Sequence, residues 1–319
     1  MHAQNDVLIL ATPSPALLSL LDQAGYTLHR ADLASKGAVR DALIAQAGPV
    51  CRAAVTSGKI GLDGVALSSL TALELLASSS AGYEGVDLPA LTAAGVALTT
   101  TSNALADDVA DTAMMLMLAA RRDLRRADLH VRQGTWAREG MYPLQNRLHG
   151  ARLGLVGAGH IGQAIARRAA VFGMQIAYYG RRARPDVTLP FQPDLLALAE
   201  WADVLVLAIA GGLDTRHLID AAVLDALGPQ GTLVNIARGS IVDEGALIDA
   251  LAQGHIANAG LDVFENEPDP DPRLTALPNV TLYPHHASGT LQTRAAMSQA
   301  VADSLAAFFA GQPLTDRVT

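Results

Sequence analysis

The feature that most constrains the fold is a glycine-rich turn between a strand pattern and a helix pattern. Residues 153–162 read LGLVGAGHIG, in which Gly157, Gly159 and Gly162 follow an apolar run and precede QAIARRAAVFG. In such a setting the first glycine permits a tight turn, the second lets the backbone approach a pyrophosphate, and the third allows close helix packing. Free N–H groups at the helix start suit the phosphate. The alternative is a tight turn without a ligand. The pattern predicts a dinucleotide site that comprises Gly157, Gly159, His160, Ile161 and Gly162.

Short apolar runs alternate with longer helical patterns along most of the chain, which predicts parallel sheets in an α/β fold. The 319 residues suggest about two domains. Several runs are apolar throughout, as in strands that are covered on both faces. The predicted strands lie in VLIL (7–10), AAVT (53–56), LELLAS (73–78), VALTT (96–100), ARLGLVGAG, MQIAYYG, ADVLVLAIA, GTLVNIAR, IANAGLDVF and NVTLYP.

Two helical patterns are long enough to shape the architecture. The longer one covers residues 103–134, where Asn103 is a suitable cap and three aspartates favour the positive end of the helix. We expect it to link two domains or to form a subunit interface. The other covers residues 290–311 and begins at Thr290.

Composition limits the partners and the compartment. Charged residues make up 17% of the chain and the net charge is −8, which argues against nucleic-acid binding. No apolar run is long enough for a membrane span, and the first residues do not resemble a signal peptide. The single cysteine, Cys51, excludes an intrachain disulfide and is most simply a buried filler. These features favour a cytoplasmic protein without membrane or nucleic-acid partners.

The strand after the glycine turn indicates which dinucleotide binds. NAD-binding versions of this fold carry an acidic residue near the end of that strand, which holds the ribose hydroxyls. Here the sequence reads YYGRRARP, with Gly180 in the acidic position and Arg181 and Arg182 directly after it. Guanidinium groups suit a 2′-phosphate. We therefore predict that NADP(H) is preferred and that NAD(H) is possible; the alternative is that the arginines form a solvated loop.

Residues that could carry chemistry follow later strands, where ligand sites of open α/β sheets gather. An arginine can hold the carboxylate of a 2-oxo acid, and a histidine can protonate the carbonyl oxygen after hydride transfer. A carboxylate behind the histidine stabilises its charged form. Arg238, Glu267 and one histidine of LYPHHASGT, His285 or His286, can fill these roles. Neighbouring side chains of an extended chain point apart, so both histidines should not face one pocket. Each residue alone has a structural alternative.

Taken together, these segments resemble the D-2-hydroxyacid dehydrogenases, and within them the branch of NADP-dependent glyoxylate/hydroxypyruvate reductases. The resemblance covers nearly the whole length. The segments that carry it are SSAGYEGVDL (79–88), DDVADTAMMLMLAARR, GAGHIG, NIARGSIVDEGAL, GLDVFENEP and PHHASGT. It implies NADPH-dependent reduction of a small 2-oxo acid of the glyoxylate or hydroxypyruvate type to the D-2-hydroxy acid.

The resemblance also implies a role for each matching residue. Arg238 matches the substrate-binding arginine, Glu267 the histidine-paired acid, and His285 the proton donor, which leaves His286 for packing or an indirect hydrogen bond. Ser80, Ala81 and Gly82 match the loop that holds the substrate carboxylate. The implied further cofactor contacts are Ile209, Ala210, Ala237 and Asp262, of which Asp262 matches a residue near the nicotinamide. The segment AIAGG departs from the Cys-Pro or Leu-Pro of the family, which leaves the adenosine contacts open.

The domain plan likewise comes from the resemblance. It implies a discontinuous substrate domain of residues 1–100 and 287–319, a Rossmann-like dinucleotide domain of residues 101–286, and an active-site cleft between them. It also implies a homodimer built around the cofactor domain and the long helix. Trp136 matches a position that approaches the partner's active site in some relatives, although a core or interface tryptophan is an equal alternative. No metal site is expected.

Other functions on related folds are less consistent with the sequence. The β-hydroxyacid dehydrogenases use a lysine late in the chain, whereas the lysines here are Lys36 and Lys59. Oxidation of formate or phosphite, or reduction of a bulkier 2-oxo acid, remains open from the catalytic residues alone. A dinucleotide-sensing corepressor usually carries long tails, whereas this chain starts almost at once with a strand and ends eight residues after Gly311.

Overall fold

The computed structural model describes residues 5–62 and 64–319, apart from the side chain of Val65. They fall into two compact units. Unit 1 contains the described residues up to Leu105 together with Gly289–Thr319, and unit 2 contains Ala106–Ser288.

Unit 1 is a five-stranded parallel sheet with helices on both faces. Its elements are β1 (Asp6–Ile9), α1 (Pro15–Gln23), β2 (Thr27–Arg30), α2 (Ala38–Ala47), β3 (Ala53–Thr56), α3 (Gly64–Ser68), β4 (Leu75–Ser78), α4 (Leu88–Ala93), β5 (Ala97–Thr99), the start of α5 (Ser102–Arg121) and α13 (Leu291–Phe309). The strand order is β2-β1-β3-β4-β5. Leu8 and Leu76 belong to the core on one face and Ile9 and Leu75 to the core on the other. Burial on both faces explains why these strands are apolar throughout.

Unit 2 is a six-stranded parallel sheet. After the rest of α5 its elements are α6 (Leu124–Arg132), α7 (Thr135–Glu139), β6 (Arg152–Val156), α8 (His160–Val171), β7 (Gln175–Tyr179), α9 (Leu195–Trp201), β8 (Val204–Leu207), α10 (Ala221–Leu227), β9 (Thr232–Asn235), α11 (Glu244–Gln253), β10 (Asn258–Leu261), α12 (Pro272–Ala276) and β11 (Val280–Leu282). The strand order is β11-β10-β9-β8-β6-β7, so the chain changes direction between β6 and β8. Ligands of open α/β sheets bind at the carboxyl ends of the strands at such a point.

The prediction of two α/β units with parallel sheets is confirmed, and a strand is present in each predicted segment, with ends that differ by at most three residues. Strand β2 was not predicted, because TLHR shows no apolar run. It lies at the edge of its sheet and is only partly buried, so a polar sequence is tolerated there. Thr290 caps α13 as predicted, since its side chain accepts a hydrogen bond from the Thr293 N–H.

The single helix predicted over 103–134 is wrong, because the chain breaks between α5 and α6 at Asp123. Asp123 has a left-handed backbone with φ 48°, a conformation that aspartate adopts more readily than most residues. Its carboxylate accepts a hydrogen bond from the Tyr142 hydroxyl at 2.6 Å and pairs with Arg126. These contacts stabilise the break, which a periodic pattern does not reveal.

The proposed cap at Asn103 is also wrong, because α5 already begins at Ser102. The Asn103 side chain instead donates a hydrogen bond to the Asp316 carboxylate, far along the chain. Two of the acidic residues of this helix, Asp107 and Asp111, pair with Arg168 of α8. Tertiary partners therefore account for side chains that the sequence analysis assigned to the helix end.

Cys51 is a buried filler, as predicted. Its side chain is fully buried in the core of unit 1, and burial raises the pKa of the thiol to about 12. Such a thiol carries almost no thiolate at neutral pH and is a poor nucleophile.

No helix among the described residues has the length and apolar character needed to cross a membrane.

Candidate active site

The glycine turn of unit 2 follows β6 and requires glycine at two of its three positions. Gly157 has φ 101°, and a Cβ there would lie 2.6 Å from the Ala208 carbonyl oxygen. A Cβ on Gly162 would lie 2.2 Å from the carbonyl oxygen of Gly157, so α8 approaches the turn too closely for a side chain. These contacts confirm the predicted tight turn and the close packing of helix and strand.

Gly159 differs from its neighbours because the space beside it is open. It precedes α8 at the N-cap position, no side chain caps the helix, and a Cβ built on it would meet no atom within 4 Å. His160 and Ile161 form the first turn of α8, so their N–H groups lie at the positive end of a 12-residue helix. The turn therefore fits the pyrophosphate of a dinucleotide.

The loop after β8, which contains Ile209, lies against this turn. The same Cβ on Gly157 would lie 3.0 Å from the Ile209 Cα. Ile209 is half-buried against the core of unit 2, whereas Ala210 is exposed and its carbonyl oxygen accepts the Thr215 hydroxyl at 3.1 Å. The structure thus brings the carboxyl ends of β6 and β8 together.

The loop after β7 carries the two arginines that were assigned to a 2′-phosphate. Gly180 is half-buried, and Arg181 and Arg182 are exposed. Neither arginine forms an ion pair with another residue of the described chain, whereas the nearby Arg184 pairs with Asp186 at 2.7 Å. The loop therefore holds two guanidinium groups that are accessible to an anion.

His285 and Glu267 form a hydrogen-bonded pair. The His285 Nδ1 lies 2.7 Å from the Glu267 Oε2, and the two side chains are 36% and 18% exposed. A carboxylate only accepts hydrogen bonds, so Nδ1 carries the hydrogen and Nε2 is left to exchange a proton. The second carboxylate oxygen accepts the Phe264 N–H at 3.2 Å, which orients the Glu267 side chain.

The backbone at His285 is not extended, so the alternation argument for the two histidines is wrong. Strand β11 ends at Leu282, and His285 adopts a left-handed backbone with φ 49°. This conformation costs a non-glycine residue about 1 kcal/mol. The His285 N–H offsets part of that cost by donating to the backbone oxygen of Asp262 at 2.7 Å.

The Asp262 carboxylate binds the backbone of the two residues that follow the bend, His286 and Ala287. Its side chain is only 1% exposed, and it accepts the N–H groups of His286 at 2.8 Å and Ala287 at 3.2 Å. Burial raises the pKa of this carboxyl above its ordinary value, while the two N–H donors act in the opposite direction. The structure thus gives Asp262 a structural task in addition to the cofactor contact that the sequence suggested.

His286 is exposed and has a ring contact of its own. Its ring stands edge-on to Tyr283, with 6.1 Å between the ring centres. The packing role of His286 stays a prediction, which this ring contact supports.

Arg238 follows β9, and its loop depends on a residue that the sequence analysis missed. The buried Asn235 donates from its side chain to the Arg238 carbonyl oxygen at 2.9 Å and accepts the Ala237 N–H at 3.0 Å. The half-buried Arg238 side chain donates to the Ala237 carbonyl oxygen at 2.6 Å. An asparagine at a strand end is a common turn residue, which was the available signal.

Gly239 joins the Arg238 loop to the Glu267 loop and was also missed. A Cβ on Gly239 would lie 1.9 Å from the Phe264 carbonyl carbon, so only glycine permits this contact. Arg238, Glu267 and His285 therefore belong to three loops of unit 2 that hydrogen bonds and close backbone packing connect.

The predicted substrate loop lies in unit 1, after β4. Ser80, Ala81 and Gly82 are all half-buried. The N–H groups of Ala81 and Gly82 donate to no other residue among those described, so two neighbouring donors are available to an anion.

The structure shows no group of three or more His, Cys, Asp or Glu side chains suited to a metal ion within its described residues.

Comparison with known proteins identifies the family. Residues 114–287 match the family model described as D-isomer specific 2-hydroxyacid dehydrogenase, NAD binding domain. The chain belongs to the D-2-hydroxyacid dehydrogenase family.

Relatives extend this match over nearly the whole chain. The 2-ketogluconate reductase of Gluconobacter oxydans is 40% identical over 314 residues, 98% of each chain. The glyoxylate/hydroxypyruvate reductase A HPR2 of Arabidopsis thaliana is 43% identical over 263 residues, 82% of this chain and 84% of the other. Both names describe reductases of 2-oxo acids.

A solved structure agrees with the fold. The NADPH-dependent glyoxylate/hydroxypyruvate reductase of Sinorhizobium meliloti, in complex with NADP and malonate, has a TM-score of 0.85 and 38% identity, covering 99% of this chain and 97% of the other. The family membership makes this dehydrogenase an NAD(P)-dependent enzyme, with a nicotinamide dinucleotide as its cofactor.

Proposed function

We propose that this dehydrogenase reduces a small 2-oxo acid of the glyoxylate or hydroxypyruvate type to the D-2-hydroxy acid, with NADPH as the preferred reductant. The observation that carries the proposal is the 2.7 Å hydrogen bond between His285 and Glu267, in the same unit as Arg238 and the open glycine turn. Proton donor, anion-binding group and dinucleotide turn are the parts that such a reduction needs.

The residues of unit 2 divide the chemistry between them. The glycine turn and the start of α8 would hold NADPH, which supplies the hydride. His285 gives the proton on Nε2 to the carbonyl oxygen of the substrate as negative charge develops there. Glu267 keeps Nδ1 hydrogen-bonded and stabilises the charged imidazole, so the ring is oriented for this transfer.

Substrate binding rests on groups that bind carboxylates. The Arg238 guanidinium can hold the carboxylate and polarise the carbonyl group. In unit 1, the N–H groups of Ala81 and Gly82 are two donors of the kind that bind a carboxylate. Neutral substrates that lack it should therefore bind poorly.

The preference for NADPH is supported by charge. Arg181 and Arg182 are exposed, form no ion pair within the described chain, and follow a glycine where NAD-dependent relatives of this fold place an acid. The related enzyme of Sinorhizobium meliloti is described as NADPH-dependent.

A larger hydroxylated 2-oxo acid is the second candidate substrate. It is favoured by the similarity to the 2-ketogluconate reductase of Gluconobacter oxydans, which covers 98% of this chain.

The activity can be tested by following the absorbance of the reduced cofactor. We expect the purified protein to oxidise NADPH in the presence of glyoxylate or hydroxypyruvate. The panel also contains pyruvate, 2-oxogluconate and hydroxyphenylpyruvate. Each acid is tested with NADPH and, separately, with NADH. Faster turnover of 2-oxogluconate would favour the second candidate, and no oxidation with any acid would contradict the proposed function.

The histidine pair offers a matched comparison. Replacing His285 by Asn removes the general acid and should lower kcat about 10³-fold while NADPH binding is retained. The substitution His286→Asn disturbs only the contact with Tyr283 and should be much milder. Steady-state kinetics gives kcat, and fluorescence titration gives the affinity for NADPH. A larger loss of kcat with His286→Asn than with His285→Asn would contradict the assignment of His285 as the proton donor.

Replacement of Arg181 and Arg182 together by alanine tests the cofactor preference. Loss of two charge-assisted contacts should raise the KM for NADPH about 100-fold, or ~2.7 kcal/mol, and leave the KM for NADH nearly unchanged. The control is Arg184→Ala, because Arg184 already pairs with Asp186 in the same loop. Equal losses with both cofactors would show that the two arginines do not bind the 2′-phosphate.

We further propose that the protein is a homodimer, formed through the segment from Leu124 to Leu144 of unit 2. Large apolar side chains are exposed along it. The exposed fractions are 58% for Leu124, 57% for Val131, 59% for Trp136, 85% for Met141 and 91% for Leu144. Trp136 is therefore not a core residue, and several large exposed apolar side chains in one segment are typical of an interaction surface.

Light scattering after size-exclusion chromatography tests the dimer. The protein should elute at twice the chain mass, and the double substitution Leu124→Glu, Leu144→Glu should shift it to the monomer, because it places charge in an apolar interface. Leu291→Glu is the control, since Leu291 is 88% exposed but lies outside the segment. A wild-type monomer, or dissociation by the control alone, would contradict the proposal.

A further inference from the structure

Ser80 is the centre of a hydrogen-bond network between two loops of unit 1. Its Oγ accepts the Gly58 N–H at 2.8 Å and donates to the Gly82 carbonyl oxygen at 2.8 Å. The Ser78 hydroxyl lies 3.0 Å from the same Oγ. Ser80 thus connects the loop after β3 with the loop after β4.

These contacts use the full capacity of the hydroxyl group. A serine hydroxyl has one donor and two acceptor sites. The donor is directed to Gly82, and the two acceptor sites serve Gly58 and Ser78. The side chain is therefore occupied within the protein, which argues against the direct substrate contact that the sequence suggested for Ser80.

The hydrogen bond from Ser80 to Gly82 spans a functionally important piece of backbone. It closes a ring over the two peptide units that carry the N–H groups of Ala81 and Gly82. These donors have no partner among the described residues. The Ser80 carbonyl oxygen also accepts the Thr101 N–H at 3.2 Å, which fixes the other side of the loop.

Gly58 shows how closely the two loops approach. A Cβ on Gly58 would lie 2.7 Å from the Gly82 carbonyl oxygen and 2.9 Å from the Ser80 Oγ. The network therefore needs both a hydroxyl at position 80 and the absence of a side chain at position 58.

We propose that Ser80 is a positioning residue that orients the N–H groups of Ala81 and Gly82 toward the carboxylate of the substrate. The inference rests on the proposed function and deepens it, because it assigns recognition of the acid group to a loop geometry set by one hydroxyl. Ser80 acts on the substrate through the backbone and does not contact it by its side chain.

The substitution Ser80→Ala should raise the KM for the 2-oxo acid about tenfold, since one lost hydrogen bond alters the two donors. We expect kcat and the KM for NADPH to stay close to the wild-type values, because the reacting groups and the cofactor turn belong to unit 2. The preference for a 2-oxo acid over its methyl ester should fall by a similar factor, because only the acid presents a carboxylate.

Ser79→Ala is the matched control. Ser79 is the neighbouring half-buried serine, and its hydroxyl donates to the Thr56 carbonyl oxygen at 3.0 Å, away from the Ala81 and Gly82 peptides. It should lower the melting temperature by an amount similar to Ser80→Ala without changing the KM for the acid. Gly58→Ala disturbs the same network from the other loop and should reproduce the KM effect of Ser80→Ala.

The outcomes separate this inference from the proposed function. A wild-type protein that reduces no 2-oxo acid overturns both. If the wild type is active, but the Ser80→Ala and Ser79→Ala variants have the same KM for the acid and the same preference for the acid over its ester, only the role of Ser80 is overturned. A rise in the KM for NADPH equal to that for the acid also contradicts it, since it would indicate a general loss of structure.

Discussion

The candidate site depends on the hydrogen bonds between Asp262 and the chain at His285. Asp262 follows β10 and is almost fully buried, so it cannot turn to solvent for partners. Its backbone oxygen and its carboxylate together accept the N–H groups of three consecutive residues, His285, His286 and Ala287. They stabilise a left-handed bend at His285 that the residue would otherwise avoid. The bend then allows Nδ1 to meet the carboxylate of Glu267.

The other functional loops follow the same principle, in which close backbone contacts set the position of a side chain. Asn235 holds the turn that bears Arg238, and Gly239 allows that turn to pack against the backbone of Phe264. Gly162 does the same for the dinucleotide turn. In unit 1, Ser80 and Gly58 connect the two loops beside Ala81 and Gly82. The residues that are proposed to contact ligands are therefore held in position by other residues, which have no ligand contact of their own in the proposal.

The sequence was most informative where structure is local. Apolar runs, turn residues and caps predicted the strands, α13 and the glycine turn, because these patterns arise from the chain's own period and backbone freedom. It was least informative where a distant residue decides the local conformation. Tyr142 stabilises the break at Asp123, Asp316 takes the side chain of Asn103, and β2 needs β1 beside it.

The sequence by itself determined the fold class, the family, the dinucleotide turn and the identity of Arg238, Glu267 and His285 as candidates, since residue type and spacing carry that information. Only the tertiary structure decided how the two neighbouring histidines differ. Glu267 lies 18 residues before His285, and Asp262 lies 24 residues before His286. The bend at His285 exists because folding brings these residues together, and no local pattern in LYPHHASGT records those contacts.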